Sequence, residues 1–117
     1  RSTLFPYTTL FRSSYLTVAQ AIALIDAESN ISEAYVKGKI SQIDSYNSTY
    51  KSITYWISDD GGTTTQLQVY SGKGLNGADF TAKEDLTVGK TVVIKGTLKK
   101  YNTTYEFDKT SSIISIN

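Results

Sequence analysis

Two aromatic side chains are the best suited by type to hold a ligand. Trp56 lies in the run Ile53-Thr54-Tyr55-Trp56-Ile57-Ser58, and Tyr70 in Gln66-Leu67-Gln68-Val69-Tyr70-Ser71. Both runs read as strands, in which successive side chains point to opposite faces. The alternation turns Trp56 and Tyr70 away from Tyr55, Leu67 and Val69. An outward indole and phenol on adjacent strands can stack on bases or sugar rings. A helix laid across that face would instead make both of them ordinary core.

Other side chains offer weaker chemistry. Lys37, Lys39, Lys95, Lys99 and Lys100 alternate with apolar residues. They can meet phosphates, or serve as a solvated strand face that protects a sheet edge. Tyr46, Tyr50, Tyr101 and Tyr105 sit at or near two turns. There they can hold a ring or a peptide, or pack across the strands of their own hairpins.

The chain has no Cys and no His. That excludes the usual zinc ligands, thiol chemistry, disulfides and Ser-His or Cys-His nucleophilic pairs. Any metal would need oxygen ligands alone. Asp59-Asp60-Gly61 lacks the alternating carboxylates and later Glu of a calcium loop and reads as a hairpin turn. Asp44, Glu84, Asp85, Glu106 and Asp108 form no recognisable acid–base pair. Glu106 and Asp108 share one strand face and read as solvent-facing. The expectation is a protein that is not an enzyme, with no cofactor and no metal site.

The elements that must position these residues follow from periodicity. Residues 17–28 read as a helix, with Thr17 as its cap, Val18, Ala21, Ile22 and Ile25 at helical spacing, and Leu24 beside them. Residues 33–46 read as a long strand, with Val36, Gly38 and Ile40 on one face and Lys37, Lys39 and Ser41 on the other. Gly38 suggests a bulge or sharp coil there. Residues 52–59 and 66–71 form a second and third strand joined by the turn signal Asp60-Gly61-Gly62. A helix over residues 78–86 is expected to plug the barrel bottom. Residues 90–101 are a fourth strand, in which Val92, Ile94, Gly96 and Leu98 face one way and Gly96 suggests another bend. Residues 104–108 and 112–116 supply a fifth strand, broken near Lys109-Thr110. The order predicts an all-β, five-stranded OB-fold barrel with an N-terminal helix and a short helix between strands 3 and 4. An open sandwich is the alternative. In an OB barrel the loops after strands 1 and 4 flank the binding face, which brings Tyr46 and Tyr101 into the candidate site.

Tyr35-Val36-Lys37-Gly38-Lys39-Ile40, Tyr55-Trp56-Ile57-Ser58-Asp59-Asp60-Gly61 and Val88-Gly89-Lys90-Thr91-Val92-Val93-Ile94-Lys95-Gly96-Thr97-Leu98 carry a resemblance. Together they resemble the anticodon-type nucleic-acid-binding OB domain. Thr17-Val18-Ala19-Gln20-Ala21 resembles a sub-group found in secreted and surface-anchored bacterial proteins. The resemblance implies a ligand face on the outside of strands 2 and 3. It would hold Thr54, Trp56, Gln66, Gln68 and Tyr70, with Lys37 and Lys39 at its edge. It also implies a larger parent protein with neighbouring domains, outside the cytoplasm.

Eleven consecutive residues, Thr3 to Ser13, match a translated sequencing adapter. Residues 1–13 are therefore set aside as an artefact of environmental sequencing, residues 14–32 form a helical segment, and residues 33–117 form the OB domain. Without residues 1–13 the chain has ten Lys, no Arg and eleven Asp plus Glu, a net charge of −1. That is a poor basis for tight duplex DNA binding, which rests on a basic patch. No apolar run approaches the ~20 residues of a membrane-spanning helix. The expected function is a non-catalytic binding module for single-stranded nucleic acid. The alternatives are an oligosaccharide- or protein-contact module of an exported protein, or a structural spacer.

Overall fold

The computed structural model describes residues 15–28, 30–109 and 111–117. The adapter-like stretch, residues 1–13, lies outside them. One helix, α1 (Val18–Glu28), precedes six strands: β1 (Asn30–Asn47), β2 (Ser52–Ser58), β3 (Leu67–Gly72), β4 (Thr91–Tyr101), β5 (Thr104–Phe107) and β6 (Ser112–Ile116). Antiparallel pairs join β1 to β2, β2 to β3 and β4 to β5, while β3 and β5 run parallel. β1 is long enough to pair with β2 through its second half and with β4 through its first, which closes the ring. β5 and β6 lie along the same edge of β4, as one fifth strand interrupted after Phe107. This is the five-stranded, closed OB barrel.

Alternation fills the interior. Val36, Ile40, Ile53, Tyr55, Ile57, Leu67, Val69, Ile94, Leu98 and Phe107 are all wholly buried. The Tyr55 hydroxyl is sealed among them without a hydrogen-bond partner, and burial pushes its acidity far down. Three register shifts, between Ile31 and Ala34, Ile40 and Gln42, and Ile43 and Ser45, let β1 coil around the ring.

Gly38, expected to mark a bulge, is paired in register with Val92. Its role is close approach: a Cβ there would sit 3.0 Å from Val18 Cγ2 and 3.2 Å from Ile57 Cδ1. Gly96 is likewise crowded, with Ser111 Cβ and Phe107 Cδ1 at 2.8 and 3.0 Å from the position a Cβ would take.

The helix expected over residues 78–86 contracts to one 3-10 turn, Lys83–Asp85. Phe80 and Leu86 still enter the core. The helical plug is α1, whose Val18, Ala21 and Ile25 share that same core. Its first turn is fully capped. Thr17 and Gln20 form a reciprocal capping box, with Gln20 N–H donating to Thr17 Oγ1 at 3.1 Å and Thr17 N–H donating to Gln20 Oε1 at 2.9 Å. Asp59, at the end of β2, accepts from the N–H groups of Val18 and Ala19 at 2.8 and 3.1 Å. This single carboxylate ties the helix to the barrel across 41 residues of sequence.

Candidate functional site

The outer face of β2 and β3 is built from one row of register partners. Gln42 of β1 stands beside Trp56 of β2, Trp56 beside Gln68 of β3, Gln68 beside Glu106 of β5, and Glu106 beside Lys99 of β4. Trp56 and Gln68 are half-buried, while Tyr70, two residues further along β3, is 47% exposed. The neighbours on the same strands, Tyr55 and Val69, are sealed inside. α1 packs on the core through Val18, Ala21 and Ile25, with Val18 beside Gly38, and Trp56 keeps part of its surface in solvent.

Hydrogen bonds hold the surroundings of the indole. The Ser41 hydroxyl bonds Gln66 Oε1 at 2.6 Å and lies 3.2 Å from the Trp56 carbonyl oxygen. Thr54 Oγ1 accepts from the Ser71 N–H at 3.0 Å, on the rim nearest Tyr70. Thr54, Gln66 and Gln68 therefore frame the two aromatic rings with neutral polar groups.

Glu106 does not face solvent as its spacing suggested. It is 4% exposed, because its position in mid-row is flanked by Gln68 and Lys99. Burial raises its carboxyl above the ordinary value, opposed by Lys99 and reinforced by Asp108. Lys99 Nζ lies 3.9 Å from Glu106 Oε2 and 3.3 Å from Asp108 Oδ1, so two carboxylates neutralise the cation of this face.

The remaining expected residues lie elsewhere. Tyr46 is half-buried, and its hydroxyl donates to the Phe80 carbonyl at 3.1 Å, which makes it part of the scaffold under the β1–β2 turn. Tyr101 is 62% exposed at the β4–β5 turn, with Lys99 Nζ 5.9 Å from its ring centroid. Tyr105 is fixed at the same hairpin by a 2.7 Å bond to Asp26 of α1. Lys37 and Lys39 stand on the first half of β1, in register with Val93 and Thr91 of β4. Lys39 also pairs with Ser58, the last residue of β2. Both lysines line an open cleft of 680 Å³ with Tyr15, Thr17, Asp59 and Thr91.

The chain is similar in structure to the OB domain of a Methanosarcina mazei protein solved by solution NMR. Sequence identity is 18%, the TM-score is 0.44, and the match covers 80% of this chain and 78% of that one. No protein-family model matches the chain, and no curated protein does.

Three contributors to the Trp56 face were not visible by alternation alone. Gln42 would point inward if β1 kept strict period two, and the register shift after Ile40 turns it outward. The broken pattern Ile40-Ser41-Gln42-Ile43, with two polar residues between two apolar ones, is the signal that finds it. Ser41 is the converse case: alternation set it outward with Lys37 and Lys39, and the same register shift leaves it buried, 8% exposed. Glu106 follows from the β3–β5 pairing, which joins segments far apart in sequence.

Proposed function

We propose that the barrel is a non-catalytic binding module whose β2–β3 face holds single-stranded nucleic acid, as one part of a larger exported bacterial protein. The observation that carries this is Trp56 and Tyr70 on adjacent strands, alternating with the buried Tyr55 and Val69, with Trp56 half-buried and Tyr70 47% exposed. Stacking tolerates any base, since every base offers a ring face, and Trp and Tyr give it large, stiff surfaces. Gln42, Gln66 and Gln68 add amide donors and acceptors around the rings. Among the described residues the lysine of this row, Lys99, is matched by two carboxylates, so binding is weak and sequence-tolerant. Titration of a labelled single strand at low salt tests the reading. Saturable binding lost in Trp56→Ala supports it. No binding up to about 1 mM, a free energy of about 4 kcal/mol, removes it.

One observation favours a second reading, a neutral oligosaccharide on the same rings. The lysine of this face, Lys99, is matched by Glu106 and Asp108, while Gln42, Trp56 and Gln68 stand side by side, so the row offers neutral amides, which pair with sugar hydroxyls, rather than cations for phosphates. A glycan array that lights up with the wild-type protein and goes dark with Trp56→Ala supports it. A blank array counts against it.

A further inference from the structure

The wall formed by the first half of β1 and by β4 carries a different chemistry. Its outward ladder is Tyr35 beside Lys95, Lys37 beside Val93 and Lys39 beside Thr91. Leu16 bridges β1 in parallel, its N–H donating to the Tyr35 carbonyl at 3.0 Å and its own carbonyl accepting from Lys37 N–H at 2.9 Å. That bridge brings Tyr15 to 6.2 Å from Tyr35, ring centroid to ring centroid. Lys95 Nζ stands 5.8 Å from the Tyr35 ring centroid. Both tyrosines are more than a third exposed, at 39% and 38%.

Three lysines elsewhere have carboxylate partners. Lys73 is paired with Asp79 at 2.6 Å, Lys99 with Glu106 and Asp108, and Lys100 with Asp26 at 3.8 Å. Among the described residues, Lys37, Lys39 and Lys95 have no carboxylate within ion-pair distance; Lys51, Lys83, Lys90 and Lys109 have none either, but they lie outside the β1–β4 ladder that brings these three together. Asp59 also lines the cleft, but both of its oxygens are engaged by the first two N–H groups of α1. The helix dipole offsets much of that negative charge. Three uncommitted cations, two exposed phenol rings and a cleft of 680 Å³ thus lie together on one wall.

We propose that this β1–β4 wall is a second binding surface, which takes a single-stranded nucleic acid with a base on Tyr35 and backbone phosphates on Lys37, Lys39 and Lys95. The spacing suits such a ligand: Tyr35 and Lys95 stand at one end of the ladder and Lys37 and Lys39 follow along β1, so that stacking and charge act together on a flexible strand. The surface stands on a different observation from the Trp56 face, so either site can fail alone.

The test is fluorescence anisotropy of the whole chain with a labelled single strand of about 12 nucleotides, within the site size of one OB fold. Salt is varied throughout. Replacing Lys37, Lys39 and Lys95 together by Gln lowers affinity about tenfold or more and reduces the slope of log affinity against log salt by about 2, near 0.7 per phosphate lost. The matching triple Lys→Arg variant keeps both. Tyr35→Ala lowers affinity about fivefold or more, and Tyr35→Phe restores it. Unchanged melting midpoints show that these surface variants remain folded. A triple Gln variant with wild-type affinity and salt slope overturns the proposal, as does a Tyr35→Ala variant that binds like wild type. Loss in Trp56→Ala alone sinks this wall and leaves the Trp56 reading standing, while loss in the lysine variant alone does the reverse.

Discussion

On the β2–β3 side, Trp56 and Tyr70 stand among Gln42, Gln66 and Gln68, with Glu106 nearly buried in their row and Lys99 neutralised by two carboxylates. On the β1–β4 side, Tyr35 stands among Lys95, Lys37 and Lys39, and the acid that lines the cleft, Asp59, is engaged in capping α1. The two walls share one barrel and one core. They differ in which lysines have partners. A near-neutral net charge argues against nucleic-acid binding only if the charge is evenly spread, and on these two walls it is not: Lys99 is matched by two carboxylates, while Lys37, Lys39 and Lys95 have no ion-pair partner among the described residues. The potential a ligand meets is set by local groups over a Debye length of about 8–10 Å, not by the sum over the chain.

If the walls are two surfaces of one cooperative unit, a core defect must lower both together. Phe107 lies inside the ring between β3 and β4, and Phe107→Ala is expected to cost about 3–5 kcal/mol. Trp56 fluorescence and far-UV circular dichroism should then report one shared midpoint in denaturant. Two separated midpoints would break the picture of a common core. A narrower lesion sits behind the lysine wall. Gly38→Val forces a side chain against Val18 and Ile57 and should cost about 1–3 kcal/mol by the same denaturation measurement. It should disturb oligonucleotide binding at Lys37 and Lys39 more than any ligand held at Trp56.

Removing the cap sharpens the electrostatic half of the comparison. Asp59→Ala frees the N–H groups of Val18 and Ala19 and should cost about 1 kcal/mol in a melting experiment. Because it also deletes the acid of the cleft, it should tighten oligonucleotide binding on the lysine wall and leave the Trp56 face unaltered. The smallest effect belongs to Glu106. Its carboxyl is raised in the folded state, chiefly by burial, so the folded protein holds that proton to higher pH than the unfolded chain. Stability therefore falls as pH rises through the interval above the ordinary carboxyl value of 4.5. Glu106→Gln should raise the melting midpoint slightly at pH 7, by less than about 1 kcal/mol in stability, and make no difference at pH 3.

Much of this was legible in the residues themselves. Alternation through Ile53–Ser58 separated Tyr55 from Trp56, and the capping signal at Thr17 placed α1, because both depend on neighbours a few residues away. The break in the fifth strand near Lys109 was readable for the same reason. What stayed hidden rests on partners distant in sequence. Asp59 read as a turn residue because nothing local reveals that it caps a helix 41 positions earlier. Glu106 read as solvent-facing because its burial depends on the β3–β5 pairing. The lysines at positions 37, 39 and 95 looked no different from those at 99 and 100, since only packing decides which of them find a carboxylate.

Trp56 is the chain's only tryptophan, so its emission reports on the β2–β3 face alone. The most direct test is to follow that emission while titrating an unlabelled single-stranded oligonucleotide at low salt. A base stacked on the indole predicts saturable quenching, which Tyr70→Ala weakens. Emission that stays constant while anisotropy shows the strand fully bound would contradict the central claim that the β2–β3 face is the site, because the ligand would then be held elsewhere, as on the β1–β4 wall.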